Sequence, residues 1–317
     1  MRTIELTYPH TLNLEALPKT VAAIGFFDGV HLGHQQVIEA AVDEAKKREM
    51  ESAVISFFPH PSVVLKAGRE DVKYITPLRE KQEILQRLGV DRFYIITFNK
   101  ELSSLSPKAF IDHFIIGLHI KHLVAGFDFT YGHRGQGTME DMKEYADNHF
   151  TYSTITKVEM DKEKISSTRI RSFLAAGDME KTAQLLGRPL SLYGMVVDGE
   201  KRGRTLGFPT ANLKVNDAAL LPKPGIYAVK VSYKNESYEG MASLGTNPTF
   251  TENRDSLSLE VYIFDYNNDL YGEELQLQWF RFIRDEQKFT TVDGLIKQMK
   301  NDEAVIRNYF SELPHRV

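Results

Sequence analysis

At 317 residues the chain is longer than one hydrophobic core usually supports, so its length predicts two domains. A net charge of −4 without a basic block excludes proteins that bind nucleic acid or anionic membranes mainly by electrostatic attraction. The absence of cysteine excludes disulfides, cysteine-ligated zinc and thiol nucleophiles, and the lack of a long apolar segment predicts a cytoplasmic protein without a membrane span.

The first half of the chain alternates strand-like and helix-like patterns. An apolar run at 21–27 leads through a glycine-rich turn into a helical pattern at about 34–50. Further strands, separated by helical patterns, are predicted at 52–58, 92–98, 122–126 and 152–158. This alternation predicts an α/β domain with a parallel sheet, whose ligands are expected where loops leave the carboxyl ends of the strands.

After about residue 186 the pattern changes to short extended runs separated by turn residues. These runs, which predict an antiparallel barrel or sandwich, lie at 191–197, 225–233, 237–244, 257–264 and 275–283. A final helix near 291–311 is expected to pack on this sheet through one apolar face, formed by Val292, Leu295, Ile296, Met299 and Val305. The change of pattern predicts domains at 1–185 and 186–317.

The turn after the first apolar run carries the first candidate site. Glycine lets the backbone approach a phosphate, and the N-terminus of the next helix adds unpaired N–H groups and a favourable dipole. The candidate nucleotide-binding residues of this turn are Gly25, Phe27, Asp28, Gly29 and Gly33. His31 and His34 can lie on one side of the first helical turn and donate hydrogen bonds to phosphate oxygens that gain charge during a transfer. The alternative is a structural or metal-binding histidine pair.

A second polar segment, at 164–171, starts another helix. Hydroxyls and arginines at a helix start suit a triphosphate, because arginine keeps its charge and binds phosphate in a bidentate manner. The candidate phosphate-binding residues here are Ser166, Ser167, Thr168 and Arg171. The alternative is an ordinary helix cap with surface cations.

Aromatic residues follow two of the predicted strands. Residues 126–132 read Gly-Phe-Asp-Phe-Thr-Tyr-Gly, and residues 57–61 read Phe-Phe-Pro-His-Pro. Aromatic faces beside a carboxylate could bind a planar ring, and the alternative is that these side chains belong to the core.

A segment at 199–212 combines glycine, cations, a hydroxyl and an amide. Its backbone can wrap phosphate groups, and the side chains of Thr210 and Asn212 supply oxygens suited to Mg²⁺. Further candidate phosphate-binding residues are Gly203, Arg204 and Gly207. The segment does not match a P-loop, and the alternative is a charged turn followed by a strand.

Taken together, these motifs resemble those of one family. The segments G-F-F-D-G-V-H-L-G-H, G-F-D-F-T-Y-G, I-S-S-T-R-I-R and G-R-T-L-G-F-P-T-A-N are similar, in order and over almost the whole chain, to those of the bacterial bifunctional riboflavin kinase/FAD synthetase family. The resemblance implies an N-terminal Rossmann-like nucleotidyltransferase domain that adenylylates FMN. It also implies a C-terminal six-stranded β-barrel that phosphorylates riboflavin. The implied ligands are riboflavin, FMN, FAD and ATP with Mg²⁺.

The resemblance also implies roles for single residues. Glu260 is similar to the catalytic base of the family, and Thr210 and Asn212 are similar to its magnesium–ATP ligands. The residues that it places beside the flavin are Phe58, His60, Asp128, Phe129, Tyr131 and Arg284. Phe58 stands where the family often has an acidic residue, and Tyr131 where it often has phenylalanine. Without the motif around Thr210, Glu260 would be interpreted as a solvent-facing strand carboxylate.

Three other functions are compatible with part of the sequence. A different nucleotidyltransferase, acting on a nucleotide or a pantetheine phosphate, explains the first domain but leaves the second unexplained. An aminoacyl-tRNA synthetase fragment fits less well, because the chain is short and acidic and has no evident tRNA-binding extension. A non-catalytic nucleotide-binding protein is the alternative outside the enzymes, and two phosphate motifs on one chain argue against it.

Overall fold

The structure, a computed structural model, describes residues 1–10, 16–65, 72–199, 207–246 and 257–313. The chain divides into two compact units, Met1–Ser167 and Thr168–Val317. The predicted functional boundary at 185 lies farther along the chain than this division, and it stays a prediction. Gly203 and Arg204 fall outside the described residues.

Among its described residues, the first unit contains ten strands. They are β1 (Arg2–Thr7), β2 (Thr20–Ile24), β3 (Glu51–Phe58), β4 (Arg92–Thr97), β5 (Ile120–Gly126), β6 (Thr130–Tyr131), β7 (Gly137–Thr138), β8 (Thr151–Ile155), β9 (Glu159–Met160) and β10 (Glu163–Lys164). The longer six form one sheet in the order β1-β4-β3-β2-β5-β8, and all its pairings are parallel. This topology confirms the predicted α/β domain, although β1 was not predicted.

Helices connect these strands. They are α1 (Leu32–Lys47), α2 (Pro61–Leu65), α3 (Leu78–Arg87), α4 (Lys100–Ser103), α5 (Pro107–Ile111) with a π-helical turn at Asp112–Ile116, and α6 (Met142–Ala146). Helix α7 (Ser167–Ala176) begins at the last residue of the first unit.

Strand β2 contributes to two hydrophobic cores among the described residues of the first unit. Ala22 and Ile24 pack in one core, whereas Val21 and Ala23 pack in the other, which also contains Ile38 of α1. Because both faces of the sheet are covered, β2 is a continuous apolar run rather than an alternating one. This buried strand fixes the point from which the glycine-rich loop leaves the sheet.

The second unit is built on a closed barrel. In chain order its strands are β11 (Leu190–Val197), β12 (Thr210–Val215), β13 (Gly225–Tyr233), β14 (Glu236–Thr246), β15 (Leu257–Ile263) and β16 (Glu274–Arg284), and its further helices are α8 (Met179–Leu186) and α9 (Val292–Glu312). The barrel order is β11-β12-β15-β14-β13-β16, with antiparallel pairs throughout. The predicted antiparallel six-stranded barrel and C-terminal helix are confirmed.

Helix α9 packs on the barrel through a face that differs from the predicted one. Ile306 and Phe310 are buried in a core with barrel residues, and Met299 packs against it. Val292 and Val305 are 58% and 43% exposed, so the prediction that these two valines belong to the packed face was wrong. The buried stripe runs instead through positions 302, 306 and 310, which are spaced at four residues.

Within the described residues, no helix combines the length and the apolar character that crossing a membrane requires.

Candidate active sites

The loop between β2 and α1 has an unusual backbone. Phe27 and Val30 adopt φ values of +52° and +41°, and Gly29 lies at +89°. The left-handed region is costly for a valine or phenylalanine, and both side chains are buried, so the surrounding core holds this conformation in place. A β-carbon at Gly25 would lie 2.9 Å from the Phe27 ring, so the close approach of that ring requires glycine.

His31 and His34 come together at the start of α1, as predicted. Their rings are stacked, with centroids 3.5 Å apart and an interplanar angle of 19°. His31 is the N-cap of α1, and its Nδ1 accepts a hydrogen bond from the His34 backbone N–H at 3.2 Å. Because Nδ1 acts as the acceptor, a neutral His31 carries its proton on Nε2. A β-carbon at Gly33 would lie 3.2 Å from His31 Cε1, so glycine leaves room for this ring.

His31 therefore has a structural role as well, because its side chain caps a helix. Capping uses Nδ1 alone, and it fixes Nε2 as the hydrogen-bond donor. The cap and a contact with phosphate are compatible functions of one imidazole.

Asp28 connects the loop to two other elements. Its Oδ1 accepts a hydrogen bond from the Thr76 N–H at 3.2 Å, just before α3. Its carbonyl oxygen accepts one from the Ser167 hydroxyl at 2.8 Å. Asp28 is only 4% exposed, so the geometry indicates that it shapes the loop rather than presenting a surface charge.

The other candidate residues of the Ser-Ser-Thr segment lie around the start of α7. Ser167 is the first residue of this helix, and Ser166 precedes it. Thr168 and Arg171 follow in its first two turns, and both residues belong to the second compact unit. The contact between Ser167 and Asp28 thus joins the two sequence motifs that were predicted to act together.

Phe58 and His60 lie where β3 leaves the sheet. Phe58 is 41% exposed, and its ring centroid lies 5.7 Å from that of Tyr74. The His60 ring packs edge-on against Phe26 at 4.4 Å, and its Nδ1 lies 2.7 Å from the Ser62 hydroxyl oxygen. An exposed phenylalanine beside aromatic neighbours is a surface on which a planar ring can stack.

The three aromatic-loop candidates after β5 have different environments. Asp128 is exposed, and its Oδ2 lies 2.5 Å from Lys164 Nζ. Phe129 stacks on Tyr131 with centroids 5.9 Å apart. Tyr131 is 4% exposed in the core beside Phe110, and burial raises the pKa of its phenol. The core alternative therefore describes Tyr131, whereas Asp128 lies at the surface.

The barrel brings Thr210, Asn212 and Glu260 together. Thr210 and Asn212 are alternate residues of β12, and Asn212 pairs directly with Glu260 of β15. Alternate residues of one strand and the residue opposite them share a face of a sheet, so all three side chains lie on one face. The Thr210 hydroxyl donates a hydrogen bond to Glu260 Oε2 at 3.2 Å.

This donor set fits Mg²⁺, which prefers oxygen ligands such as hydroxyl, amide and carboxylate groups. Thr210 and Asn212 would hold the ion, and Glu260 completes an oxygen-rich face beside them. A β-carbon at Gly199 would overlap the Asn212 amide, so glycine there leaves room for the present position of that amide. Gly207, two residues before Pro209, adopts a φ of +82°, which also favours glycine.

Arg284 is held in an ion pair with a residue that the sequence patterns did not single out. Its Nε and Nη2 donate hydrogen bonds to Asp302 Oδ2 at 3.0 and 2.8 Å. The Asp302 side chain is 2% exposed, and Gln298 Nε2 donates to its Oδ1 at 2.8 Å. The sequence signal that could have indicated a buried Asp302 is its position four residues before Ile306 on one face of an amphipathic helix.

We expect Asp302→Asn to lower the free energy of unfolding of the barrel unit by about 3 kcal/mol, because it leaves the Arg284 charge buried without a counter-charge. Asp265→Asn is the matched control, since Asp265 pairs with Arg307 at the surface and such pairs contribute less than about 1 kcal/mol. Calorimetric unfolding of both variants makes the comparison. Equal, small losses in the two variants would contradict a structural role for the buried pair.

The fold and the two sites define the class of the protein. A stacked H-x-G-H pair at the carboxyl edge of a parallel sheet is the arrangement of a Rossmann-like nucleotidyltransferase, and a closed barrel with an oxygen-rich face is joined to it. The family model described as FAD synthetase matches residues 14–169, and the model described as riboflavin kinase matches residues 186–310. The chain belongs to the bifunctional riboflavin kinase/FMN adenylyltransferase family.

Relatives of known name match the chain over its full length. The bifunctional riboflavin kinase/FMN adenylyltransferase of Listeria monocytogenes is 47% identical, and that of Bacillus subtilis is 44% identical, each over 99% of both chains. A crystal structure described as a macrolide-efflux protein from Streptococcus pneumoniae is 38% identical, with a TM-score of 0.87 over 97% of this chain and 99% of that one. These matches confirm the resemblance, and they account for the barrel that a different nucleotidyltransferase would leave unexplained.

Proposed function

We propose that this chain makes FAD from riboflavin in two ATP-dependent steps. Riboflavin and ATP give FMN and ADP in the barrel, and FMN and a second ATP give FAD and pyrophosphate in the α/β unit. The observation that carries the proposal is the presence on one chain of two unlike sites, the stacked histidine pair of α1 and the Thr210–Asn212–Glu260 face.

In the adenylylation step, a phosphate oxygen of FMN attacks the α-phosphorus of ATP and pyrophosphate leaves. Negative charge then grows on oxygens that His31 Nε2–H and the His34 ring can meet as hydrogen-bond donors. The N-terminus of α1 adds backbone N–H groups, and the loop with Gly25, Phe27 and Gly29 lets the backbone approach the phosphates. No covalent nucleophile takes part. The residues that we assign to the triphosphate of ATP are Gly33, Ser166, Ser167, Thr168 and Arg171. Asp28 contributes indirectly, because it shapes the loop.

In the phosphorylation step, Glu260 accepts the proton of the ribityl hydroxyl, and that oxygen attacks the γ-phosphorus of ATP while ADP leaves. The hydrogen bond from Thr210 orients the Glu260 carboxylate. Mg²⁺, when bound with ATP, neutralises charge on the phosphates. Thr210 and Asn212 are its assigned ligands, and the assigned phosphate-binding residues of the preceding segment are Gly203, Arg204 and Gly207.

We assign the flavin ring to side chains near the strand ends. Phe58 and His60 flank the exposed aromatic surface after β3, and Asp128 and Phe129 follow β5. Tyr131 supports Phe129 from the core, because their rings are stacked. Arg284 is assigned to the riboflavin side of the barrel, where Asp302 fixes its direction.

We assign both steps to the cytoplasm. Their partners are small molecules, and neither nucleic acid nor a membrane takes part. Its functional domains are 1–185 and 186–317, a division that agrees with the start of the riboflavin kinase match at residue 186.

We expect a fragment that begins at residue 186 to convert riboflavin and Mg–ATP into FMN and ADP without forming FAD, because it contains the whole barrel and none of the α1 loop. The full chain, assayed in parallel, is expected to form FAD and pyrophosphate as well. Chromatography of flavins and nucleotides measures all four products. A folded fragment that binds riboflavin but releases no ADP would rule out the kinase assignment.

A further inference from the structure

A lysine that no motif includes is buried beneath the loop after β2. Lys81 lies in the first turn of α3, and it is 5% exposed. Its Nζ donates a hydrogen bond to the Phe26 carbonyl oxygen at 2.9 Å. The Ser56 hydroxyl donates to the same oxygen at 2.9 Å, so this carbonyl has one charged and one neutral donor. Lys81 Nζ also lies 5.1 Å from the centroid of the Phe26 ring.

This hydrogen bond sets the direction of the next backbone N–H. In the described chain only the bonds before Pro9 and Pro59 are cis, so the peptide between Phe26 and Phe27 is trans. The C=O and N–H of a trans peptide point in opposite directions. Since the carbonyl of Phe26 points toward Lys81, the N–H of Phe27 points away from α3. The buried side of the loop thus holds it in place, and the Phe27 N–H faces the opposite side of the loop.

The position of Lys81 is costly for stability. Burial lowers the pKa of Lys81 to about 8, and the charge of Asp28 opposes this effect. The folded chain therefore binds this proton less tightly than the unfolded chain, so the cost is full below pH 8 and is relieved as the pH rises toward the ordinary lysine pKa. An apolar side chain of similar length would fill the space without that cost.

Other groups near Lys81 are mostly neutral. The cavity beside it is lined mainly by uncharged side chains, among them Ser56, Phe58, Tyr74 and Thr76. Three titratable groups lie near the ammonium in the described residues. Tyr74 lines the cavity, Asp28 faces the ammonium from the loop, and Glu80 is buried next to Lys81 on α3. Lys81 thus places a cation between α3 and the loop that carries the histidine pair.

We propose that the Lys81 ammonium is a positioning group for adenylyl transfer, which fixes the Phe26–Phe27 peptide and adds positive charge beneath the phosphates of ATP. The proposal rests on the adenylyltransferase function assigned above. It explains why a costly charge occupies a site where a methionine would pack. Lys81 acts through the loop and does not touch the reacting atoms.

The test is Lys81→Met in the full chain, assayed with FMN and Mg–ATP. We expect kcat/KM for FAD formation to fall at least about tenfold, a loss typical of misplaced catalytic groups. The midpoint of thermal unfolding is expected to stay the same or to rise, because a buried charge has been removed. Riboflavin phosphorylation serves as the internal control, and Ser56→Ala removes the neutral donor while it keeps the ammonium.

The proposal would be overturned if Lys81→Met formed FAD with a kcat/KM within twofold of that of the wild-type chain. It would also be overturned by a loss that Ser56→Ala reproduces in size together with a lowered unfolding midpoint, because the loss would then follow from a loosened loop rather than from the Lys81 charge. An unchanged chain that forms no FAD at all would instead reject the adenylyltransferase function itself.

A pH profile gives a second test that does not depend on how well the methionine variant folds. In the wild-type chain, the ratio of the rate of FAD formation to the rate of FMN formation is expected to fall as the pH rises past about 8, where Lys81 loses its proton. Lys81→Arg keeps its charge and is expected to move that fall to higher pH. A flat ratio up to pH of about 9.5, or the same profile in Lys81→Arg, would overturn the proposal.

Discussion

The double variant His31→Ala/His34→Ala is expected to lose FAD formation while FMN formation continues. Removal of one donor to a developing oxyanion typically costs on the order of a hundredfold in rate, and this variant removes two stacked donors. The kinase site lies on barrel strands that neither substitution touches. Steady-state rates of both reactions, measured on the same preparation, make the comparison.

The capping role of His31 requires a control, because alanine also removes the N-cap of α1 at a cost of about 1 kcal/mol. His31→Asn is that control, since an asparagine oxygen can accept from the His34 N–H but cannot reproduce the Nε2 donor. We expect His31→Asn to unfold close to the unchanged chain and still to lose FAD formation. Near-normal FAD formation in His31→Asn, or in the double variant, would favour the purely structural histidine pair.

The second large effect is expected from Glu260→Gln, which should lower FMN turnover on the order of a hundredfold or more. Glutamine keeps the size of the side chain and an oxygen that can accept from Thr210, but it removes the base. Some activity should remain, because much of phosphoryl-transfer catalysis comes from positioning and electrostatics. Turnover at saturating substrates and calorimetric binding of riboflavin and Mg–ATP separate chemistry from affinity.

Glu236→Gln is the matched control, because it removes an exposed carboxylate from the neighbouring strand β14. We expect this variant to keep full turnover. If Glu260→Gln binds both ligands normally and turns over at the rate of the control, Glu260 is not the catalytic base.

The architecture and both site motifs could be predicted because their signals are local. A continuous apolar run followed by glycines and a helical pattern defines β2, its loop and α1 without reference to the rest of the chain. Strand β1 was missed because it lies at the sheet edge and alternates without an apolar run. Strand β12 was not among the predicted runs, although Thr-Ala-Asn-Leu-Lys-Val alternates polar and apolar residues, because it is short and follows a charged turn directly, and its pairing with β15 is a long-range contact.

Other features depend on partners that sequence spacing does not reveal. Asp302 is buried against Arg284, eighteen residues away on β16, and it shares the buried face of α9 with Ile306 and Phe310. Lys81 has the pattern of a surface residue on a polar helix, yet its ammonium is buried against the carbonyl of Phe26. Tyr131 follows an apparent ligand motif, but the rings of Phe110 and Phe129 enclose it.

The most direct test of two chemistries on one chain traces the phosphates of ATP into the flavin products. The full chain is incubated with riboflavin and ATP that is radiolabelled in either the γ- or the α-phosphate, and flavins are separated by chromatography. We expect the γ-label to enter FMN and to be kept in FAD, whereas the α-label enters FAD alone. Absence of γ-label from FMN would contradict the kinase step, and absence of α-label from FAD would contradict the adenylylation step.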